Sequence, residues 1–264
     1  MQHRSIGIFD SGVGGLTVFK EIARLLPEEN LIYLGDTARV PYGTKSVETV
    51  RRYALEAAEF LVGQGVKLLV VACNTASAVA LPLLRERFQL PVIGVIEPGA
   101  RRAVESRNRR IGVIGTEGTI NSNRYPEAIH ALLPDAQIFS APCPLFVPLA
   151  EEGWAEHEIA RLTATEYLQP LLAAKIDTLV LGCTHYPLLR NTLRQVLGEA
   201  VALVDSAEET AKSVQQLFQQ QGLANPESGG QRTFFVTDVP TRFERVGQAF
   251  LGSHLGRVEQ VQIG

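Results

Sequence analysis

At 264 residues, with 45% hydrophobic and 20% charged side chains, the chain has apolar material for one large domain or two of ordinary size. A formal net charge of -3 gives no general attraction for nucleic acid, and the one arginine-rich stretch, Arg101-Arg102 followed by Arg107, Arg109 and Arg110, lacks interleaved aromatics and reads as a solvated helix end and loop. Met1-Gln2-His3-Arg4 leads straight into Ile6-Gly7-Ile8-Phe9 with no signal-peptide layout, and no apolar run approaches the roughly 20 residues of a membrane helix, so a cytoplasmic protein without membrane partners is expected.

Ser5 to Asp10 reads as a buried strand, Ser11 to Gly15 as the turn after it, and Leu16 to Leu26 as a helix with Leu16, Phe19, Ala23 and Leu26 on one face. The glycine-rich turn is neither G-x-G-x-x-G nor followed by a P-loop lysine. Its glycines either let the backbone turn tightly or let a small substrate approach the amides, and both readings stay open. Asn30 to Asp36 is the second strand, and Thr37 to Lys45, with Pro41-Tyr42-Gly43, is a loop. Ser46 to Gln64 is the clearest helix, with Val47, Val50, Ala54, Ala57 and Leu61 as its apolar stripe. Lys67 to Ala72 is a strand that delivers Cys73, and Pro91 to Ile96 is another.

The pattern then restarts. Ile111-Gly112-Val113-Ile114-Gly115-Thr116 echoes Ile6 to Ser11 at an offset of 105 residues (111 − 6), and Cys183 follows Cys73 at 110 (183 − 73). Arg124 to Leu133 is helical, Ala136 to Ala141 a strand, His157 to Ala173 a helix and Asp177 to Leu181 the strand leading to Cys183. Ser206 and Glu209 make a capping-box pattern that opens a further helix. Arg232 to Thr237, Thr241 to Leu251 and Val258 to Ile263 add a strand, a helix and a last short strand. Alternating strands and helices in the same order predict an α/β protein of two similar parallel-sheet domains related by internal duplication. The expected division is residues 1–97 plus 208–264 for the first domain and 98–207 for the second, with the active site in the cleft between them.

Each repeat ends a strand in a cysteine, passes small polar residues and enters a helix. In an open parallel sheet the ligand crevice lies beyond the carboxyl ends of the strands, which is where these thiols fall. Helix amides following a cysteine can lower its pKa, and the thiolate is the reactive form. A lone buried cysteine is more often a small hydrophobe, but two at equivalent strand ends point to chemistry. Two opposed thiols suit proton transfer at a carbon, one base on each face. The unpartnered Cys143, between prolines, reads as structural, and His3, His130, His157 and His254 as solvent-facing. Three cysteines are an odd number for a disulfide framework, and no CxxC spacing suggests a metal clip. A hydrolase or transferase using one cysteine with His185 would leave the second thiol without a role. A nucleotide-binding module lacks its fingerprint, and no lysine carries the signature of a pyridoxal-phosphate racemase.

Four motifs together resemble the glutamate racemases of the cofactor-independent aspartate/glutamate racemase superfamily: Phe9-Asp10-Ser11-Gly12-Val13-Gly14-Gly15, Gly35-Asp36-Thr37 with Pro41-Tyr42-Gly43, Ala72-Cys73-Asn74-Thr75-Ala76, and Gly182-Cys183-Thr184-His185-Tyr186-Pro187-Leu188. The resemblance runs from Ile6 to about Asp205. It implies Cys73 and Cys183 as the two bases, Asp10 as the acid beside Cys73, and Glu152 and His185 as the polar partners of Cys183. It implies Asp10, Ser11, Pro41, Tyr42, Gly43, Asn74, Thr75, Thr184 and His185 as substrate contacts, glutamate as the substrate, no cofactor and no metal. Supply of D-glutamate to peptidoglycan is the implied role, action on aspartate or another amino acid the alternative, and a homodimer is compatible. The repeat adds an asymmetry, because Asp10 aligns with Gly115, so the second half has no acid at the equivalent strand end.

Overall fold

The computed structural model describes residues 2–227 and 229–264. The first unit runs β1 (Ile6–Asp10), α1 (Leu16–Leu25), β2 (Leu31–Gly35), α2 (Val47–Gly63), β3 (Leu68–Val71), α3 (Asn74–Arg87) and β4 (Val92–Gly94). Helix α4 (Ile96–Ala103) connects it to the second unit. That unit comprises β5 (Arg110–Gly115), α5 (Glu117–Asn121), α6 (Arg124–Leu132), β6 (Gln137–Pro142), α7 (Phe146–Glu151), α8 (Glu158–Ala173), β7 (Thr178–Gly182), α9 (Arg190–Leu197) and β8 (Ala202–Asp205). The tail adds α10 (Ser206–Gln221), β9 (Arg232–Val236), α11 (Pro240–Leu251) and β10 (Val258–Gln260). Among these residues no helix is long and apolar enough to cross a membrane.

All strand pairs are parallel. One sheet has the order β10-β9-β2-β1-β3-β4 and the other β6-β5-β7-β8. The core order β2-β1-β3-β4 is therefore repeated strand for strand. The registers repeat too, since Ile6 pairs with Leu31 and Leu68 while Ile111 pairs with Ile138 and Thr178. The tail strands extend the first sheet beyond β2.

Each sheet is covered on both faces, which is why its strands read as continuous apolar runs. Along β3, Leu68 and Val70 enter the core shared with α1, α10 and α11, while Leu69 and Val71 enter the core shared with α2 and α3. Each such fully buried aliphatic side chain contributes roughly 1.5–3 kcal/mol. In the second unit Leu179 and Leu181 face α8 and α9, while Val180 faces α4 and α6.

Local signals set most boundaries. Ser46 caps α2, its Oγ accepting from the Thr49 N–H at 3.3 Å, and His157 caps α8 by accepting from Ile159 N–H at 3.2 Å. The capping box expected at Ser206 and Glu209 does not form. Asp205 takes the cap instead, Oδ1 accepting from Ala207 N–H at 2.9 Å, and Ser206 is buried as the first helical residue. The strand expected over 91–96 is only Val92–Gly94, because the chain turns into α4 once Gly94 is pressed against Ser77 and Leu81. On α1 the buried face is Leu16, Thr17, Val18, Phe19 and Ile22, wider than the expected stripe because sheet and tail helices cover it from two sides.

Candidate active site

The carboxyl ends of β1, β3, β5 and β7 deliver their loops to one cleft. Its cavity, of about 210 Å³, is lined by Ser11, Pro41, Tyr42, Gly43, Cys73, Asn74, Thr75, Cys183, Thr184 and His185 among others. Pockets for drug-sized ligands run to roughly 300–1,000 Å³, so this one suits a smaller molecule. A larger groove of about 470 Å³ between α3, α4 and α6 contains none of the expected site residues, and its arginines are engaged by Glu97, Glu127 and Ser213.

The two halves meet closely here. A Cβ on Gly14 would lie 2.3 Å from Thr184 Oγ1 and 2.5 Å from His185 Nδ1, and one on Gly43 would lie 2.6 Å from Thr116 Cβ. Neither glycine has a positive φ. The turn after β1 is therefore glycine-rich neither for unusual backbone angles nor, at Gly14, for substrate: Gly14 lets the opposite half approach.

Cys73 is the N-cap of α3 and is 5% exposed. Its sulfur accepts from the Ala76 N–H at 3.5 Å and donates to Ser11 Oγ at 3.8 Å. The helix amide acts in the expected direction but is outweighed. Burial, followed by the nearby Asp10 charge, pushes the thiol up to about 12. Asp10 lies behind Cys73, almost fully buried and not part of the cavity wall. Its Oδ2 accepts from Gly12 N–H at 3.0 Å, while Oδ1 has no partner. Burial raises its pKa, against the lowering effect of His185 and the turn amides.

Cys183 is 7% exposed, and its sulfur lies 3.8 Å from His185 Nδ1. The other ring nitrogen, Nε2, lies 3.0 Å from Glu151 Oε1. Burial alone would push His185 down, but the Cys183 sulfur and the Glu151 carboxylate together outweigh it and hold the imidazole up at about 10. An imidazolium is therefore the resting form at neutral pH.

Glu152, expected as the partner of Cys183, is a correction. It is exposed and borders an apolar depression with Leu145, Leu149, Trp154 and Ile159, outside the cleft. Helix α7 ends at Glu151, and the next residue around the helix end points away. Glu151 is the acid that reaches His185, and the sequence reading missed it, together with Thr116 and Arg242 of the cavity wall.

The remaining wall carries several polar groups, partly preorganised. Asn74 Oδ1 accepts from Tyr125 O–H at 2.7 Å, which leaves Nδ2, buried and without a partner, as a free donor. Thr75 Oγ1 lies 2.9 Å from Thr116 Oγ1 and 3.2 Å from Thr119 Oγ1, joining the halves. Tyr42 donates its hydroxyl to Asp36, so the loop offers the cavity its ring and backbone rather than its O–H. Cys143 is buried in the second core, as its sequence context suggested, and the four other histidines are exposed.

A thiol from each of two duplicated parallel-sheet units, in the wall of one small cavity, defines the class. The chain belongs to the Asp/Glu/Hydantoin racemase family, whose pattern matches residues 6–214, and is thus an isomerase, an amino-acid racemase. It is 59% identical to the glutamate racemase of Geobacter metallireducens over 100% of this chain and 98% of that one. The structure of glutamate racemase isoform RacE1 from Bacillus anthracis superposes with a TM-score of 0.96 at 43% identity, covering 99% of this chain and 98% of that one. That of the Francisella tularensis enzyme in complex with D-glutamate does so with a TM-score of 0.94 at 40% identity and the same coverage.

Proposed function

We propose that the chain interconverts L- and D-glutamate by moving a proton at Cα between Cys73 and Cys183, one thiol on each face of the substrate. The observation that carries this reading is the placement of two thiols from equivalent positions of a repeat in the wall of one cavity. One sulfur, as thiolate, takes the Cα proton. The other, as thiol, returns a proton from the opposite side, and no bond forms between enzyme and substrate. Acid–base groups of this kind contribute typically 10²- to 10⁴-fold each.

His185, held cationic by Glu151, supports the thiolate of Cys183, while Asp10 serves Cys73. Ser11, Asn74, Thr75 and Thr184, with the backbone of Pro41, Tyr42 and Gly43, hold the carboxylates and the amine. The free Nδ2 of Asn74 is the donor best placed to find its partner in a substrate carboxylate, since a buried unmade hydrogen bond costs about 1–3 kcal/mol. Similarity to glutamate racemases, one of them bound to D-glutamate, supports glutamate over aspartate. The cellular role proposed is supply of D-glutamate for peptidoglycan.

Incubation with L-glutamate in deuterated water, followed by chiral separation and mass measurement, tests the reading. D-glutamate carrying one deuterium at Cα is the expected product. Absence of exchange would overturn the activity, and equal turnover of aspartate would overturn the substrate assignment.

A further inference from the structure

The tail helix α11 lies beyond residue 214, where the family match ends, and its strands belong to the first sheet. It nevertheless reaches the machinery of the second half. Arg242 Nη2 lies 3.1 Å from Glu151 Oε2, the oxygen that Glu151 does not present to His185. Glu151 Oε1 continues to His185 Nε2 at 3.0 Å, and His185 Nδ1 to Cys183 Sγ at 3.8 Å. One helical face further on, Phe250 meets the His185 ring edge to face, with centroids 5.3 Å apart. From Arg242 to Cys183 this is an unbroken line of four side chains that crosses from one half to the other.

We propose that Arg242 is a positioning residue for racemisation: by holding one oxygen of Glu151 from across the cleft, it fixes the other on His185 and so sets the geometry beside Cys183. The inference rests on the proposed role of Cys183. A carboxylate on the last turn of a six-residue helix has several rotamers open to it, and fixing one needs a second anchor. Arg242 is suited to this because it donates to one carboxylate oxygen only and leaves the other to His185. Its side chain is 55% exposed, so the ion pair adds little to stability, and its effect should appear in turnover. Arg242 also lines the cavity, which makes direct contact with a substrate carboxylate the competing role.

The two roles separate in a double-mutant cycle on the full-length enzyme, measured by racemisation of glutamate. Arg242→Gln is expected to lower kcat about tenfold with KM within about twofold of wild type, a fraction of what a directly acting acid–base group contributes. Arg242→Lys should recover most of the loss. Arg242→Gln placed on Glu151→Gln should lower kcat no further than Glu151→Gln alone, because the arginine acts only through that carboxylate. A raised KM at unchanged kcat, or full additivity with Glu151→Gln, would overturn the proposal. Wild-type activity in the same assay keeps failure of this inference distinct from failure of the racemase reading, and matching thermal midpoints show that the variants are folded.

Discussion

Cys73 and Cys183 stand at the same place in two copies of one strand order, yet their surroundings are opposite in charge. Behind Cys73 lies a buried carboxylate, Asp10, with one oxygen unpartnered, and the thiol is pushed up to about 12. Beside Cys183 lies a histidine held up at about 10 by the Cys183 sulfur and a second carboxylate, Glu151. Duplication supplied the geometry, and divergence at the strand ends supplied two different sets of neighbours. Gly115 stands where Asp10 stands in the first half, and Thr184-His185 replaces Asn74-Thr75. The first thiol is thus held toward its protonated form, while the second has an imidazole nitrogen 3.8 Å from its sulfur. Racemisation in both directions needs the two to exchange roles as the substrate's charges arrive.

The largest effects should come from erasing either side of the comparison. Cys73→Ser and Cys183→Ser should each reduce racemisation by several orders of magnitude, since one missing group interrupts removal in one direction and return in the other. Near-normal racemisation by either variant would contradict the assignment. Asp10→Asn and Glu151→Gln should fall less, on the order of 10- to 100-fold, because the thiols remain. Glu152→Gln should stay within about twofold of wild type; a loss equal to that of Glu151→Gln in steady-state rates would return Glu152 to the site.

A smaller and differently read effect is the pH dependence of stability. His185 is raised in the fold above its ordinary value near 6.5. Its stabilisation is therefore complete below about pH 6.5, shrinks as pH rises, and is gone above about 10. Denaturant unfolding across this window should show wild type losing its advantage over His185→Asn as pH rises. Parallel curves would mean that the histidine is not held cationic.

How much of this was readable beforehand follows from the range of each interaction. The duplicated strand order and the cysteines were legible because strand, turn and helix signals are local and occur twice. The acid near Cys183 was misplaced by one residue because Glu151 and Glu152 are chemically identical, and only the rotation at the end of α7 separates them. Arg242 was invisible because its partner lies 91 residues away, on another unit (242 − 151). At Gly14 the sequence leaves a tight turn and room for substrate both open, because nothing in its neighbours announces that Thr184 and His185 will press against it. At Ser206 a capping box is expected, but Asp205, one residue earlier, takes the cap instead.

The central claim is that the two thiols serve opposite faces, and an irreversible reaction tests it best, because equilibrium ties the two directions of racemisation together. With 3-chloroglutamate, removal of the Cα proton by a single base expels chloride from Cβ, and the resulting enamine hydrolyses to 2-oxoglutarate and ammonia. Chloride release should be measured for both Cα enantiomers with Cys73→Ser and with Cys183→Ser. Each variant should retain elimination from one enantiomer only, and the retained enantiomer should differ between them. Loss of activity toward the same enantiomer in both variants, or toward both in either, would contradict a base on each face.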